Sequence, residues 1–255
     1  MNIVKQLILS LYSPKDIVKF RFQGIGKTIG YIFFLTFLTT LPFGIIFSLS
    51  LKNGVEEFKQ SLETDIPSFQ LSNGHLTSNE KKPYIQTEDD QTIILDTTGT
   101  ISMSDINNYS NVIALLPNEL VVKAGGNVSK MPYSVLGTIE VTKNDVLKFS
   151  KDLSDLLPII IMISMVILYI FTTASKFIGV TVLAVIGLFI QNAVNRKLSF
   201  RHLWRLSAYS VTLPTVFFAL MDAFRIFVPF SFIIYWAVAI IMIWLVIKEV
   251  PPRRV

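Results

Sequence analysis

Uncharged apolar runs and a single polar block alternate along the chain. No charged residue occurs between Thr28 and Leu51, and a helix of that length covers the roughly 30 Å of a bilayer's hydrocarbon. Leu156–Ser175 and Phe177–Ala193 repeat the pattern with only Lys176 between them, and Leu206–Phe224 and Phe230–Ile247 follow. The pattern predicts five transmembrane helices. Pro42 and Gly44 fall in the first and Pro214 near the middle of the fourth. Such breaks are tolerated where neighbouring helices satisfy the freed backbone groups.

Residues 52–155 break the apolar pattern. They hold fifteen of the eighteen Asp and Glu residues and nine Lys, with no Arg. Val55, Phe58, Leu62 and Ile66 keep helical spacing, so the first helix is expected to continue outward as far as Pro67. The period then changes to that of strands. Phe69–Ser72, Asn73-Gly74 and His75–Thr77 read as a hairpin, because Asn-Gly suits the positive φ angles of a tight turn. Tyr84–Thr87 and Thr92–Asp96 read as a second strand pair across Glu88-Asp89-Asp90. A short helix at Ser104–Tyr109 and strands at Val112–Leu116 and Glu119–Val122 follow. Thr142 or Asn144 is the expected N-cap of a last helix leading into the second span.

The expected fold is therefore a membrane α-helical bundle with a small α+β extracytoplasmic domain inserted between helices one and two. Its segments are a lead-in (1–27), the first transmembrane helix (28–51), the external domain (52–155), the C-terminal bundle (156–247) and a basic tail (248–255).

Charge orients this arrangement. Lys5, Lys15, Lys19, Arg21 and Lys27 precede the first span and place the N-terminus in the cytoplasm, because basic residues concentrate on that side. The lead-in divides into an amphipathic helix carrying Ile3, Leu7, Ile8 and Leu11 and a second helix, Pro14–Phe22, started by Ser13. It reads either as an interfacial helix pair or as a cytosolic approach to the membrane. Arg196, Lys197, Arg201, His202 and Arg205 form a basic linker after the third apolar run. Five spans would put that linker outside, against the charge rule. An inner linker would require residues 156–194 to cross once, with part of that stretch re-entrant, and the orientation of the C-terminal part stays open.

Composition supports the membrane class, with 51% apolar residues, 16% charged residues and a mean hydropathy of +0.55. The net charge of +5 lies beside apolar runs, where it meets headgroups, so nucleic acid is not an expected partner. The chain has no cysteine, which removes disulfides, thiol catalysis and cysteine-based zinc sites.

Three segments carry a family resemblance. They are Leu11-Tyr12-Ser13-Pro14 with its basic continuation, Ile93-Ile94-Leu95-Asp96-Thr97-Thr98-Gly99, and Ser199-Phe200 through Leu206-Ser207-Ala208-Tyr209-Ser210 to Pro214. Together they resemble an uncharacterised family of Gram-positive bacterial membrane proteins, some labelled maltodextrin-utilisation proteins. That family is similar in turn to the Yip-type membrane superfamily. The resemblance implies a polytopic cell-membrane protein with an external insert after its first helix, and a scaffold role through binding other membrane proteins. It brings no catalytic residues.

The candidate chemistry is thin. Asp96-Thr97-Thr98-Gly99 has one residue more than the Asp-Thr-Gly of aspartic proteases and no second copy to share a proton, so an Asp-rich turn explains it better. Glu88-Asp89-Asp90 reads as a solvated turn before it reads as a cation site. His75 and His202 are too far apart in kind and position to begin a zinc site. Asp222 and Arg225 stand at i,i+3 near the end of the fourth span, a spacing for an intramembrane polar pair or an interfacial ion pair. Gln191, Asn192 and Asn195 close the third span, where they bond across helices or mark its interface end. Lys15, Lys19, Arg21, Arg196, Lys197, Arg201 and Arg205 are the expected membrane-interface basic residues. No cofactor, metal or catalytic constellation is expected. The functional expectation is a non-enzymatic membrane adaptor or regulatory subunit, with the lipid bilayer and another membrane or envelope protein as partners. A transporter, or an accessory subunit of a maltodextrin-type sugar transporter, is the alternative.

Overall fold

The computed structural model of the chain describes residues 2–88 and 90–252. These divide into two compact units, one of residues 1–50 and 159–255 and the other of residues 51–158. Two long helices, α3 (Ile25–Thr64) and α5 (Lys143–Ala193), pass from one unit into the other without interruption.

The helical unit begins with α1 (Ile3–Tyr12), α2 (Pro14–Ile17) and a 3-10 turn over Val18–Phe22. Ile17, Val18 and Phe20 are buried in its core. The N-terminal segment is thus packed into the bundle and is not a detached approach to it. After α5 come α6 (Phe200–Ser210) and α7 (Thr212–Ala223), joined through the single residue Val211, and then α8 (Ser231–Lys248). The core gathers Tyr31, Ile32 and Leu35 of α3, Val180 and Leu183 of α5, Leu203, Leu206 and Tyr209 of α6, and Ile243 and Ile247 of α8. Most of α6 is enclosed, with every residue from Leu206 to Ser210 buried. Its neighbour α5 approaches at Gly187, where an added Cβ would lie 3.2 Å from the Leu203 side chain.

Among the described residues four helices are long and apolar enough to cross a membrane: α3, α5, the joined α6–α7 and α8. The expected break at Lys176 is absent, and α5 runs for 51 residues. One lysine cannot reverse a chain, and no proline or left-handed residue accompanies it; Lys is a good helix former. The second and third predicted spans are therefore one helix. Pro214 also moves in meaning. Because helix restarts at Thr212, the proline stands in a first turn, where a missing N–H costs nothing.

The C-terminal ends of α5 and of α7 are closed in the same way. Asn195 (φ 54°) and Arg225 (φ 55°) are left-handed, with Arg196 N–H donating to Gln191 O (2.9 Å) and Ile226 N–H to Met221 O (2.9 Å). This six-to-one bond with a left-handed residue is the Schellman termination of a helix.

The second unit is α+β. β1 (Phe69–Ser72), β2 (His75–Ser78) and β8 (Val141–Thr142) form a three-stranded sheet in the order β2-β1-β8. β3 (Tyr84–Glu88), β4 (Gln91–Leu95), β5 (Asn111–Leu115), β6 (Glu119–Ala124) and β7 (Asn127–Pro132) form a five-stranded sheet in that order, with only β4 and β5 parallel. A short helix α4 (Met103–Asn107) provides the β4–β5 crossover. It is started by a reciprocal Ser102–Asp105 capping box. Thr142 opens α5, donating its N–H to Asp145 Oδ2 (2.9 Å) and accepting from Asp145 N–H (3.3 Å). The hairpin at Asn73-Gly74 has φ of 51° and 76°, as the two left-handed residues of a type I′ turn require.

Each face of the larger sheet has its own core. Ile94, Val112, Ala114 and Val121 pack with Ile106 of α4. Leu95 on the opposite face joins Leu62 of α3 and Ile66 just beyond it with Phe69, Leu71 and Leu76 of the small sheet, and Leu115 and Leu120 pack against them.

Candidate functional site

The second unit contains a cleft of about 610 Å³ and, beside it, an apolar cavity of about 310 Å³. Phe58, Ile93, Ile113 and Val122 line both. Strand register explains how polarity is distributed there. Tyr84, Leu95, Leu115 and Leu120 form one row across the sheet, and Gln86, Ile93, Ile113 and Val122 the next on the same face. Gln91 pairs with Asn111 in the row beyond. That face grades from apolar to amide-bearing along the strands. Leu62, Ile66, Phe69 and Leu71 close the apolar end, and Glu57, Asp90, Gln91 and Asn111 stand at the open end. Lys123 contributes to the cleft wall, but its ammonium donates to Asn107 O (2.7 Å) beside α4, on the sheet's other face.

Asp96 is fully buried. Its Oδ1 accepts from Thr98 N–H (2.8 Å), Thr98 Oγ1–H (2.7 Å) and Gly99 N–H (3.1 Å), and its Oδ2 from Ile101 N–H (2.7 Å). Burial opposes the charged form, but these bonds outweigh it and hold the carboxyl below its ordinary range. All its acceptor directions point into its own turn, so the Asp-Thr-Thr-Gly segment is a structural clasp. In the acidic run Glu88-Asp89-Asp90, Asp89 lies outside the described residues. Among the described residues no three or more His, Asp or Glu come together in a way that suits a metal ion.

In the helical unit, sequence reasoning missed a polar cluster. Lys176 Nζ donates to Thr215 Oγ1 (3.0 Å) and Tyr235 OH (3.1 Å), and those two oxygens are 3.0 Å apart. The ammonium also lies 5.0 Å from the Tyr235 ring centroid. The signal was present as a lone lysine in an apolar run, but it read as a loop. A second set links the N-terminal segment to α6, with Tyr209 OH 3.0 Å from Gln6 Oε1 and 3.2 Å from Gln23 Oε1, and α3 to α7, with Tyr31 OH 2.6 Å from Thr212 Oγ1.

Three of the predicted basic residues bond to backbone carbonyls of this unit. Arg205 donates to Arg21 O (2.7 Å), and Arg196 to Lys248 O (3.4 Å). Arg21 in turn donates to Val18 O (3.0 Å) and stacks on Phe22. Lys19 pairs with Asp16 (2.7 Å) and, like Lys15, Lys197 and Arg201, is exposed. Gln191 is buried and accepts from Leu198 N–H (2.7 Å), which folds the linker back onto α5.

Asp222 and Arg225 do not share a helical face. α7 stops at Ala223, and Arg225 is the left-handed residue that terminates it. Among the described residues the two side chains form no ion pair, and both are exposed. The i,i+3 argument fails because it presumed that the helix continued.

A family model covers residues 4–247, almost the whole of both units. The chain belongs to the DUF1189 family. That family is described as a protein of unknown function, which agrees with the uncharacterised family read from the sequence. No curated protein and no solved structure matches this DUF1189 chain.

Proposed function

We propose that this DUF1189 chain is a four-crossing protein of the cell membrane that works as a non-enzymatic adaptor. Its N-terminus, basic linker and C-terminal tail lie in the cytoplasm, and residues 51–158 form an extracytoplasmic domain that binds another membrane or envelope protein. Four crossings bring every basic cluster to one side, consistent with the bonds from Arg205 to Arg21 and from Arg196 to Lys248.

The observation that carries the adaptor reading is strand β7. It is the edge of the five-stranded sheet, and all six of its residues are exposed. An uncovered edge is a template for an added strand. The Gly125-Gly126 turn closes on the pair Ala124–Asn127. By alternation Val128, Lys130 and Pro132 therefore direct their backbone groups outward. Pro132 ends the usable edge, leaving two outward N–H groups. Replacing both Val128 and Lys130 by proline keeps the β6 ladder and removes those donors. The double variant should lose a stoichiometric partner that co-purifies with the wild-type chain in mild detergent. Unchanged recovery of that partner would sink the edge as the contact.

Transport is the second reading, favoured by the Lys176–Thr215–Tyr235 cluster. Ionisable groups within apolar spans mark pathways as well as contacts. Asp222 and Arg225 give this reading less support than their sequence spacing did. Sugar flux into proteoliposomes that Lys176→Met reduces at least tenfold would favour transport, and the absence of flux would remove it.

A further inference from the structure

We infer that the extracytoplasmic-type unit, residues 51–158, holds a binding site for a single-chain amphiphile with an uncharged, hydrogen-bonding head. The apolar chain lies in the cavity between α3 and the two sheets, and the head lies in the adjoining cleft. The inference rests on the geometry of this unit alone and stands whether or not β7 receives a partner.

Three observations lead to it. The first is the cavity itself, about 310 Å³ with an apolar lining drawn from Leu62, Ile66, Phe69, Leu71, Leu115 and Leu120. Protein interiors are packed like organic crystals, and a space of this size with no polar partner holds ordered water poorly. Its volume falls at the lower bound of small-molecule sites. The second is continuity. Four residues serve as walls to both the cavity and the 610 Å³ cleft, so an occupant of one can extend into the other.

The third is the character of the cleft. Its hydrogen-bonding groups include the amides of Gln91 and Asn111, the latter accepting from Gly125 N–H (3.3 Å), and the hydroxyl of Ser61, while Gln86 is already bonded to Tyr84 OH (2.8 Å) and Asp65 (3.2 Å); its charges among the described residues are the carboxylates of Glu57 and Asp90. The one lysine in its wall has its ammonium on the opposite face, bound to Asn107 O. Among the described residues an anionic head would meet two carboxylates and no cation. A hydroxyl- or amide-bearing head meets donors and acceptors without that repulsion.

The test uses the full-length chain in lipid nanodiscs and a decanoylglycerol carrying a diazirine near the end of its chain. After illumination, the labelled residues are mapped by peptide mass spectrometry. Labelling is expected in the peptides holding Leu62–Ile66 and Leu115–Leu120. Plain decanoylglycerol should compete it away at a concentration at least tenfold below that needed for decanoate. Ile113→Phe and, separately, Leu120→Phe fill the cavity from different strands and should each cut labelling there at least fivefold, while amide exchange of β4–β6 stays as in the wild type. Glu57→Lys, an exposed helix position, cannot unfold the sheet and should narrow the preference over decanoate. Labelling confined to the lipid-exposed surface of the spans would overturn the inference. So would domain labelling that plain decanoylglycerol does not displace, or a Glu57→Lys chain with unchanged head preference.

Discussion

Asp96 illustrates how a residue can look catalytic in sequence and prove to be architectural. Its carboxylate accepts four hydrogen bonds from the turn that follows it, and nothing of it is left for a substrate. The fold holds its pKa below the unfolded value near 3.9. A carboxyl lowered in the folded state contributes stability that is complete above the unfolded pKa and fades as pH falls through the folded one. The wild-type domain should therefore keep its amide protection in strands 91–95 and 111–115 from neutral pH down to about 4, and begin to lose it below. Asp96→Asn removes the charge, and its amide group faces donors. It should cost about 2 kcal/mol at pH 7 and flatten the acid dependence, as read by hydrogen exchange on the full-length chain. A variant with unchanged protection at pH 7 would show that the clasp is dispensable.

At the scale of elements, the strongest sequence signals were local chemistry with one structural solution. Asn73-Gly74 gave its hairpin, Thr142 its helix cap, and the spacing of Val55, Phe58 and Leu62 the continuation of α3, which ends at Thr64, short of Ile66 and Pro67. β7 escaped notice. Its sequence, Asn127–Pro132, is exposed throughout and has no apolar alternation, so only its pairing with β6 across Gly125-Gly126 makes it a strand. The candidate cleft was illegible for a related reason. Its rows combine residues from β3 to β6, and the parallel β4–β5 pairing that aligns Ile93 with Ile113 is not written in either strand alone. Lys176 was misread because charge in an apolar run has two meanings, a loop or a buried contact. Only the positions of Thr215 and Tyr235, 39 and 59 residues away, decide between them.

For the molecule as a whole, the merging of two predicted spans into α5 changes the parity of crossings, and parity decides where every later residue lies. Five crossings from a cytoplasmic N-terminus leave Lys197 and the tail outside. Four leave them inside, with residues 51–158 outside. The absence of native cysteine makes this directly measurable, since each introduced thiol reports alone. Lys81→Cys in the domain, Lys197→Cys in the linker and Pro252→Cys in the tail are all exposed positions. A membrane-impermeant maleimide applied to intact cells should label Cys at 81 and spare 197 and 252, which should react only after the membrane is opened. Labelling of 197 from outside would restore the fifth crossing and would separate Arg205 from Arg21, a bond that the helical unit makes at 2.7 Å. The two outcomes are exclusive, because Arg21 precedes the first crossing and Arg205 follows the second.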